Sequence, residues 1–249
     1  ISYRFDGLVK VITGIRRCGK SYLLKKLYKD YLLNHQVKEE QIISIELDLA
    51  KDIQFRDPLR LSSFVREKLS GPREEHYLFI DEIQMSDEVP NPYNPEGKKI
   101  SFYDALNDLR SIPNLDVYVT GSNSKMLSSD ILTEFRGRSD EIRVYPLSFS
   151  EYYSAVGGDK NEAFDDYAFY GGMPLILSRP NELAKMNYLK SLFSEVYIKD
   201  IVERKKIERQ DILEQILDLL CSSIGSLTNP AKLANTLQSK QGISVSPNT

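Results

Sequence analysis

The stretch Gly14-Ile15-Arg16-Arg17-Cys18-Gly19-Lys20-Ser21 decides the fold, because its spacing of Gly, Lys and Ser suits one chemical task. It follows a short apolar run, 8–13, that predicts a strand, and it precedes a segment with helical periodicity. Gly14 and Gly19 permit backbone conformations that a side chain would forbid, so the loop amides can point inward. Together with the amino end of the helix, these amides form a cradle for phosphate.

Individual side chains of this loop have predicted tasks of their own. Lys20 places a point charge at the β and γ phosphates of a nucleoside triphosphate, and Ser21 offers a hydroxyl ligand to Mg²⁺. Cys18 is interpreted as a small residue that fits the loop, with a reactive thiol at a helix amino end as the alternative. The predicted nucleotide contacts are Gly14, Ile15, Arg16, Arg17, Cys18, Gly19, Lys20, Ser21 and Tyr22.

A second motif, Tyr77-Leu78-Phe79-Ile80-Asp81-Glu82, is an apolar run that ends in two carboxylates. Such a pattern is commonplace by itself, but beside a phosphate-binding loop it supplies what a nucleotide-bound Mg²⁺ requires. We predict that Asp81 helps to hold the metal ion. Glu82 is predicted to orient and polarise the attacking water.

Strands and helices alternate along the first part of the chain. Five strands are predicted, at 8–13, 42–49, 76–80, 115–120 and 142–147. Helical stretches between strands indicate an α/β fold with a parallel, doubly wound sheet. Apolar and polar residues alternate in the second strand, so we expect it near a sheet edge with one face wet.

Polar side chains follow the fourth strand, at the edge of the sheet where ligands of open α/β folds bind. They belong to Thr120-Gly121-Ser122-Asn123. Either Ser122 or Asn123 is predicted to sense the γ-phosphate or to position water. An ordinary turn stabilised by these side chains is the alternative.

Two arginines, Arg136 and Arg138, come shortly before the fifth strand and are expected near the rim of the site. An arginine supplied by a neighbouring subunit can neutralise charge in the transition state of phosphoryl transfer. The alternative interpretation is a surface ion pair with Asp140 or Glu141. The pattern alone leaves both readings open.

Composition argues against a disulfide-rich protein, a membrane-spanning protein and a protein with a general attraction to nucleic acid. The chain has 249 residues, of which 41% are apolar and 28% charged, as in ordinary globular proteins. A formal net charge of −3 gives no general attraction to nucleic acid or to acidic membranes. The two cysteines cannot build a disulfide framework and favour a reducing, cytoplasmic setting. No apolar run approaches the roughly 20 residues that span a bilayer, so no membrane partner is expected.

The last hundred residues read as mostly helical. Gly171-Gly172-Met173-Pro174 interrupts the pattern and predicts a turn. An amphipathic helix is predicted over 211–224. Asn229-Pro230 then opens another helix, because Asn caps a helix and Pro fits its first turn. Ser246-Pro247 is interpreted as the start of a third helix.

These motifs resemble the AAA+ ATPases, and more closely a prokaryotic group known as ATP-binding AAA proteins, with a C-terminal domain of unknown function. The first two motifs are general to this class of ATPase, and the later ones narrow the resemblance. The stretches that carry it are 10–21, 79–84, 119–122, 145–149, 171–174 and 197–201.

The resemblance implies a sheet of strand order 5-1-4-3-2, with Asp81 and Glu82 as the Walker B pair. It implies that Arg138, ahead of Arg136, is an arginine finger acting across the interface of a homo-oligomer. Gly172 and Pro174 would lie near the base or ribose and would link the nucleotide to a helical lid.

The same resemblance implies three parts: an ATPase core at 1–147, a helical lid at 148–208 and a partial winged helix at 209–249. The winged helix would be cut off inside its third helix, and would be the place for a DNA or protein partner. Family members are expected to carry a further domain beyond it, for example a nuclease-like one.

Three functions are compatible with these patterns. The first is an Mg-ATP-hydrolysing switch in which nucleotide state moves the lid and winged helix. The second is a DNA- or protein-binding module that ATP merely stabilises. The third is a small-molecule kinase, against which stand Glu82 and the helical tail. An Asn-Lys-x-Asp sequence of the kind that reads guanine is absent, which favours ATP and ADP as ligands.

Overall fold

The computed structural model describes residues 4–69, 71, 74–121, 137–198, 201–202 and 210–241. The chain divides into two compact units, Ile1–Asn181 and Glu182–Thr249. The first unit contains a five-stranded sheet of order β2-β3-β4-β1-β5, in which all neighbouring strands are parallel. The strands are β1 (Val9–Thr13), β2 (Ile42–Glu46), β3 (His76–Asp81), β4 (Leu115–Thr120) and β5 (Ser139–Arg143).

This sheet confirms the predicted α/β fold and the strand order 5-1-4-3-2, read from the opposite edge. Every residue of β3 and β4 is buried, because helices cover both faces of the centre of a parallel sheet. The second strand lies at an edge, as its alternation predicts. Ser44 is exposed and Glu46 half-buried, whereas Ile43 and Ile45 face the core.

The prediction for the fifth strand was wrong in position. The strand occupies Ser139–Arg143 rather than 142–147, and its residues are only partly buried or exposed. An edge strand needs ladder hydrogen bonds with one neighbour but no continuous apolar face, so its residues can be mostly polar. The apolar run that suggested the strand continues past it, with one further ladder bond from the Val144 amide to the Thr13 carbonyl, 2.8 Å long.

Helices pack on both faces of the sheet and create two apolar clusters. On one face lies helix α1, which comprises Lys20–Tyr22, the π-helical segment Leu23–Tyr28 and Lys29–Asn34. Helices α2 (Pro58–Lys68) and α3 (Phe102–Leu109) cover the other face. Successive residues of β3 alternate between the two clusters, as the pleat of a strand requires. Helices α4 (Phe149–Val156) and α5 (Lys160–Tyr170) and the 3₁₀ turn Pro174–Ser178 follow.

The second unit is helical in the part that the structure describes. Helix α6 (Glu182–Ser191) continues into the π-helical segment Leu192–Ile198, and α7 (Gln210–Ser222) and α8 (Pro230–Gln241) follow. The predicted helix start is confirmed, because Asn229 Oδ1 accepts a hydrogen bond of 2.8 Å from the Lys232 amide. Ser246 and Pro247 lie outside the described residues. The winged helix and the three-part division therefore stay predictions.

Within the described ranges, no helix combines the length and the apolar character needed to cross a membrane.

Candidate functional site

The loop between β1 and α1 has the backbone that its glycines predict. Gly14 has a φ of +149°, and a Cβ there would lie 2.3 Å from the Val144 carbonyl oxygen and 2.8 Å from Cys18 Sγ. Gly19 has a φ of +107° and stands at the start of α1. Both positions therefore require glycine. Cys18 is buried, and its thiol donates a long 3.4 Å hydrogen bond to the Val144 carbonyl, so its side chain packs the loop against the end of β5.

Lys20 is buried inside this loop, with only 5% of its surface exposed. Its ammonium donates to the carbonyl oxygens of Gly14 and Ile15, at 3.0 and 2.9 Å. Burial lowers the pKa of Lys20, although the nearby carboxylates of Glu82 and Asp81 act in the opposite direction. An ammonium held by neutral carbonyls keeps a strong attraction for an anion. Around it, the predicted contacts Ile15, Arg16, Arg17 and Tyr22 are exposed.

Ser21 and Asp81 meet at the end of the sheet, as the predicted metal site requires. The Ser21 hydroxyl donates to Asp81 Oδ1 over 2.9 Å, and Thr120 donates to the same oxygen. Because the Ser21 hydrogen points to Asp81, the lone pairs of its oxygen are available to a cation. Hydroxyl and carboxylate oxygens are the ligands that Mg²⁺ prefers, so the residues present fit this ion.

Glu82 follows in a left-handed backbone conformation, with φ 55° and ψ 49°. A non-glycine residue in this conformation is strained by about 1 kcal/mol or more, and such strain persists only where the surroundings enforce it. The Glu82 amide donates to Thr120 Oγ1 over 3.3 Å, and the Gln84 side-chain amide donates to Glu82 Oε2. These two contacts aim a partly exposed carboxylate at the end of the sheet, beside the loop.

Residues 171–174, which the family resemblance assigns to the connection between nucleotide and lid, also lie at this end of the sheet. Gly172 packs so closely on Leu147 that a Cβ would lie 2.0 Å from the Leu147 carbonyl oxygen. The Leu147 amide donates to the Gly172 carbonyl over 2.7 Å. The ring of Pro174 lies beside the loop, with Cγ 3.9 Å from where a Cβ of Gly19 would stand. The structure thus brings Pro174 next to the loop between β1 and α1, and it packs Gly172 against Leu147.

Sequence reasoning missed four residues of this site: Lys25, Glu46, Gln84 and, as a contact of Asp81, Thr120. Burial acts to lower the pKa of Lys25, but hydrogen bonds to Glu46 and Asp81 outweigh burial and raise that pKa. Two patterns could have identified some of them. Thr120 ends a predicted strand, and Lys25 follows Ser21 by four positions, on the same face of the helix.

The expectation that Arg138 lies near the rim of the site was wrong. Its carbonyl accepts from the Val9 amide over 3.1 Å, at the amino ends of β1 and β5, whereas the loop follows the carboxyl end of β1. Arg138 therefore lies at the end of the sheet where the strands begin, opposite the loop, and cannot reach the site of its own chain. Its guanidinium approaches Asn107 Oδ1 at 3.5 Å. Of its two suggested acidic partners, Glu141 pairs with Arg143 instead.

The remaining predicted residues, Ser122, Asn123 and Arg136, lie outside the described residues. The choice between Ser122 and Asn123 as the γ-phosphate sensor stays a prediction. Thr120, two positions before Ser122, is described and contacts both acidic residues of the site.

Two family models match separate parts of the chain. Residues 6–153 match a family model described as AAA domain. Residues 161–246 match a second model, described as a domain of unknown function. The first match covers the sheet, the loop between β1 and α1, and both acidic residues of the site.

Two curated proteins are similar to almost the whole chain. An uncharacterized protein of Haemophilus influenzae is 32% identical over 247 residues, which cover 97% of this chain and 58% of that protein. Uncharacterized protein MJ1544 of Methanocaldococcus jannaschii is 27% identical over 248 residues, covering 92% of this chain and 50% of that protein. The chain thus spans about half the length of the curated relatives it matches.

Solved structures with a similar course of the chain include the Walker-type ATPase PABY2304 of Pyrococcus abyssi. It has a TM-score of 0.49 at 20% identity, over 93% of this chain and 84% of that chain. PCH-2 of C. elegans has a TM-score of 0.42 at 15% identity, over 97% of this chain and 58% of that chain.

Proposed function

The chain belongs to the AAA domain family, and on that premise we propose that it binds ATP with Mg²⁺ and hydrolyses the nucleotide to ADP and phosphate. One observation carries this proposal. Lys20, Ser21, Asp81 and Glu82 come from two distant stretches of sequence, and the parallel sheet brings them to one edge. Phosphoryl transfer needs this set: a cation for the phosphates, a metal site, and a carboxylate that can handle water.

Each side chain of the site has one role in the proposed reaction. The amides of the loop and the Lys20 ammonium bind the β and γ phosphates, and Ser21 and Asp81 hold Mg²⁺. When bound, Mg²⁺ neutralises charge on the phosphate oxygens. Glu82 accepts a hydrogen bond from the attacking water at a carboxylate oxygen and receives its proton. Gln84 fixes the orientation of that carboxylate through the hydrogen bond to Oε2.

The test separates binding from hydrolysis. We expect Lys20→Ala to abolish ATP binding, because the charge that holds the phosphates is gone, and Glu82→Gln to keep binding but lose turnover. Binding is measured by calorimetry and turnover by phosphate release, and Glu88→Gln, on an exposed residue, serves as the matched control. Hydrolysis by Glu82→Gln at the wild-type rate would contradict the proposed task of Glu82.

Base selectivity is part of the same proposal. We expect Mg-ATP to raise the thermal midpoint, because a ligand that binds only the native state stabilises it. Mg-GTP should raise it less at the same concentration. Equal shifts would contradict adenine selectivity.

We further propose that hydrolysis drives a conformational switch. Gly172 and Pro174 connect the loop to the helices that follow, so nucleotide state could be passed along this segment. The parts would be the core at 1–147, the lid at 148–208 and the partial winged helix at 209–249, with a DNA or protein partner at the last. A binding module with little turnover is the alternative. Phosphate release measured with and without DNA on the full-length protein separates the two.

A further inference from the structure

Lys25 reaches into the predicted metal site from helix α1, one turn beyond Ser21. Its ammonium lies 3.0 Å from Asp81 Oδ2 and also pairs with Glu46. The other oxygen of the same carboxylate, Oδ1, accepts from Ser21 and Thr120. Both oxygens of Asp81 are therefore occupied, and Lys25 supplies a full positive charge to one of them.

We propose that Lys25 is a built-in cation that occupies Asp81 before the metal binds, and that competition between Lys25 and Mg²⁺ sets the metal affinity of the site. This proposal rests on the proposed function. The Asp81 side chain is only 5% exposed, and a buried carboxylate without a counter-charge is strongly destabilising. Lys25 removes that cost in the metal-free protein, and it weakens the attraction of Asp81 for a second cation.

Glu46 gives Lys25 a place to go when the metal arrives. Glu46 is the neighbour of Asp81 in the register of β2 and β3, and its side chain is 20% exposed. The ammonium of Lys25 can therefore shift from one carboxylate to the other without losing its ion pair. Lys51 binds Glu46 Oε1 at 3.0 Å, whereas Lys25 binds Oε2, so Lys51 shares Glu46 with Lys25 without an ion pair to Asp81.

The arrangement yields substitutions of opposite sign. Removing the charge in Lys25→Met leaves Asp81 to the metal, so we expect the Mg²⁺ concentration for half-saturation to fall by about tenfold. Removing the resting place in Glu46→Gln commits Lys25 to Asp81, so that concentration should rise. Lys51→Met is the matched control, because it removes one positive charge from the same chain of ion pairs but not from Asp81. Because it acts on Asp81 only through Glu46, it should change the half-saturation concentration much less than Lys25→Met does.

The experiment titrates MgCl₂ into each purified variant at saturating ADP, with the thermal midpoint as readout and EDTA as the zero point. Lys25→Met should also have a lower midpoint in EDTA without nucleotide, and Lys25→Arg, which keeps the charge, should stay near the wild type in both measurements. If Lys25→Met does not fold, the sign of the Glu46→Gln shift decides the matter.

The outcomes separate the two proposals. A wild-type protein that shows no response to Mg²⁺ and ADP would contradict the proposed function, and the role of Lys25 with it. A clear wild-type response with an unchanged or higher half-saturation concentration in Lys25→Met overturns only the role of Lys25. A fall in that concentration for Glu46→Gln does the same.

Discussion

Two buried lysines lie ten positions apart and have different surroundings. Lys10 lies in β1, and Lys20 lies at the start of α1, after the loop that follows β1. Lys10 is 2% exposed in β1, and its ammonium lies 2.8 Å from Asp116 Oδ1 and 2.5 Å from Asp6 Oδ1. Lys20 is 5% exposed, and its hydrogen bonds go to two backbone carbonyls, Gly14 and Ile15. The Lys10 ammonium is hydrogen-bonded to carboxylates, whereas the Lys20 ammonium is hydrogen-bonded to neutral carbonyls, with the carboxylates of Glu82 and Asp81 nearby.

The surroundings of Lys10 form a closed network. Asp116 Oδ2 accepts from the Tyr118 hydroxyl over 2.9 Å, and that hydroxyl lies 2.8 Å from the Tyr28 hydroxyl. Burial raises the pKa of Tyr28 to about 12, and it raises the pKa of Tyr118 as well, so both phenols stay neutral and keep their protons for hydrogen bonding. This network joins helix α1 to the centre of the sheet.

The difference indicates whether each buried charge contributes to the stability of the fold or to the binding of a ligand. A buried ammonium is costly unless a counter-charge compensates it. Inside the fold, Asp116 compensates Lys10 permanently, so the pair contributes to the folded state. At the loop, the compensating anion would come from the phosphates of a ligand. We therefore expect structural and ligand-binding lysines to be distinguished by their partners, not by their burial.

The largest effect that tests this comparison is expected for Lys10→Met. The substitution leaves Asp116 buried without a counter-ion, which should lower the free energy of unfolding by about 3–5 kcal/mol. Urea denaturation measures the change, with Lys26→Met, at an exposed ion pair with Asp30, as the control that should stay near the wild type. A Lys10 variant as stable as the control would show that this pair does not stabilise the fold.

Next comes Lys20→Met, with an effect that appears only in the presence of ligand. Without nucleotide, we expect the same or a higher free energy of unfolding, because a buried charge has been removed. With Mg-ATP at 100 times Kd, the wild type should gain about 2.7 kcal/mol that the variant lacks. Denaturation with and without Mg-ATP measures both. If the unliganded variant loses as much stability as Lys10→Met, the two lysines are not different in kind.

A smaller effect is expected for Tyr118→Phe, which removes one hydroxyl from the closed network. Asp116 and Tyr28 each lose a hydrogen-bond partner in the interior, so the free energy of unfolding should fall by about 1–3 kcal/mol. Tyr145→Phe makes the same chemical change at a side chain that is 67% exposed, and should be near neutral. Equal effects of the two changes would argue against a network that contributes to stability.

The smallest effect on stability, within about 0.5 kcal/mol, is expected for Arg138→Ala at the exposed amino edge of the sheet. The same variant also tests a third kind of charged residue, because we propose that Arg138 completes the site of a neighbouring subunit. Turnover should then fall while ATP affinity stays close to normal. Mixing Arg138→Ala with Lys20→Ala should partly restore turnover, since a mixed interface can pair an intact loop with an intact arginine.

Control mixtures of each variant with itself set the baseline for that experiment. A mixture no more active than its parts, or a wild type that is fully active as a monomer at every concentration, contradicts a function of Arg138 in trans.

The amino-acid sequence by itself determined the features that depend on a few neighbouring residues. It predicted the loop at Gly14 to Ser21, the edge position of β2 and the helix start at Asn229, because glycine conformations, alternation and capping act over two to eight positions. It also predicted that Asp81 follows a buried strand. These signals need no knowledge of which strands become neighbours.

Only the tertiary structure decided which distant residues meet. Lys10 and Asp116 are 106 positions apart, and Ser21 and Asp81 are 60 apart, so the register of parallel strands determines both contacts. The pairing of β5 with β1 makes the polar segment Ser139–Arg143 the fifth strand, and it places Arg138 at the end of the sheet opposite the loop. The register of β2 and β3 also placed Lys25 between Glu46 and Asp81. Asp6, four positions before Lys10, is a local partner, whereas Asp116 meets Lys10 only through the pairing of β1 with β4, which no local pattern around the lysine encodes.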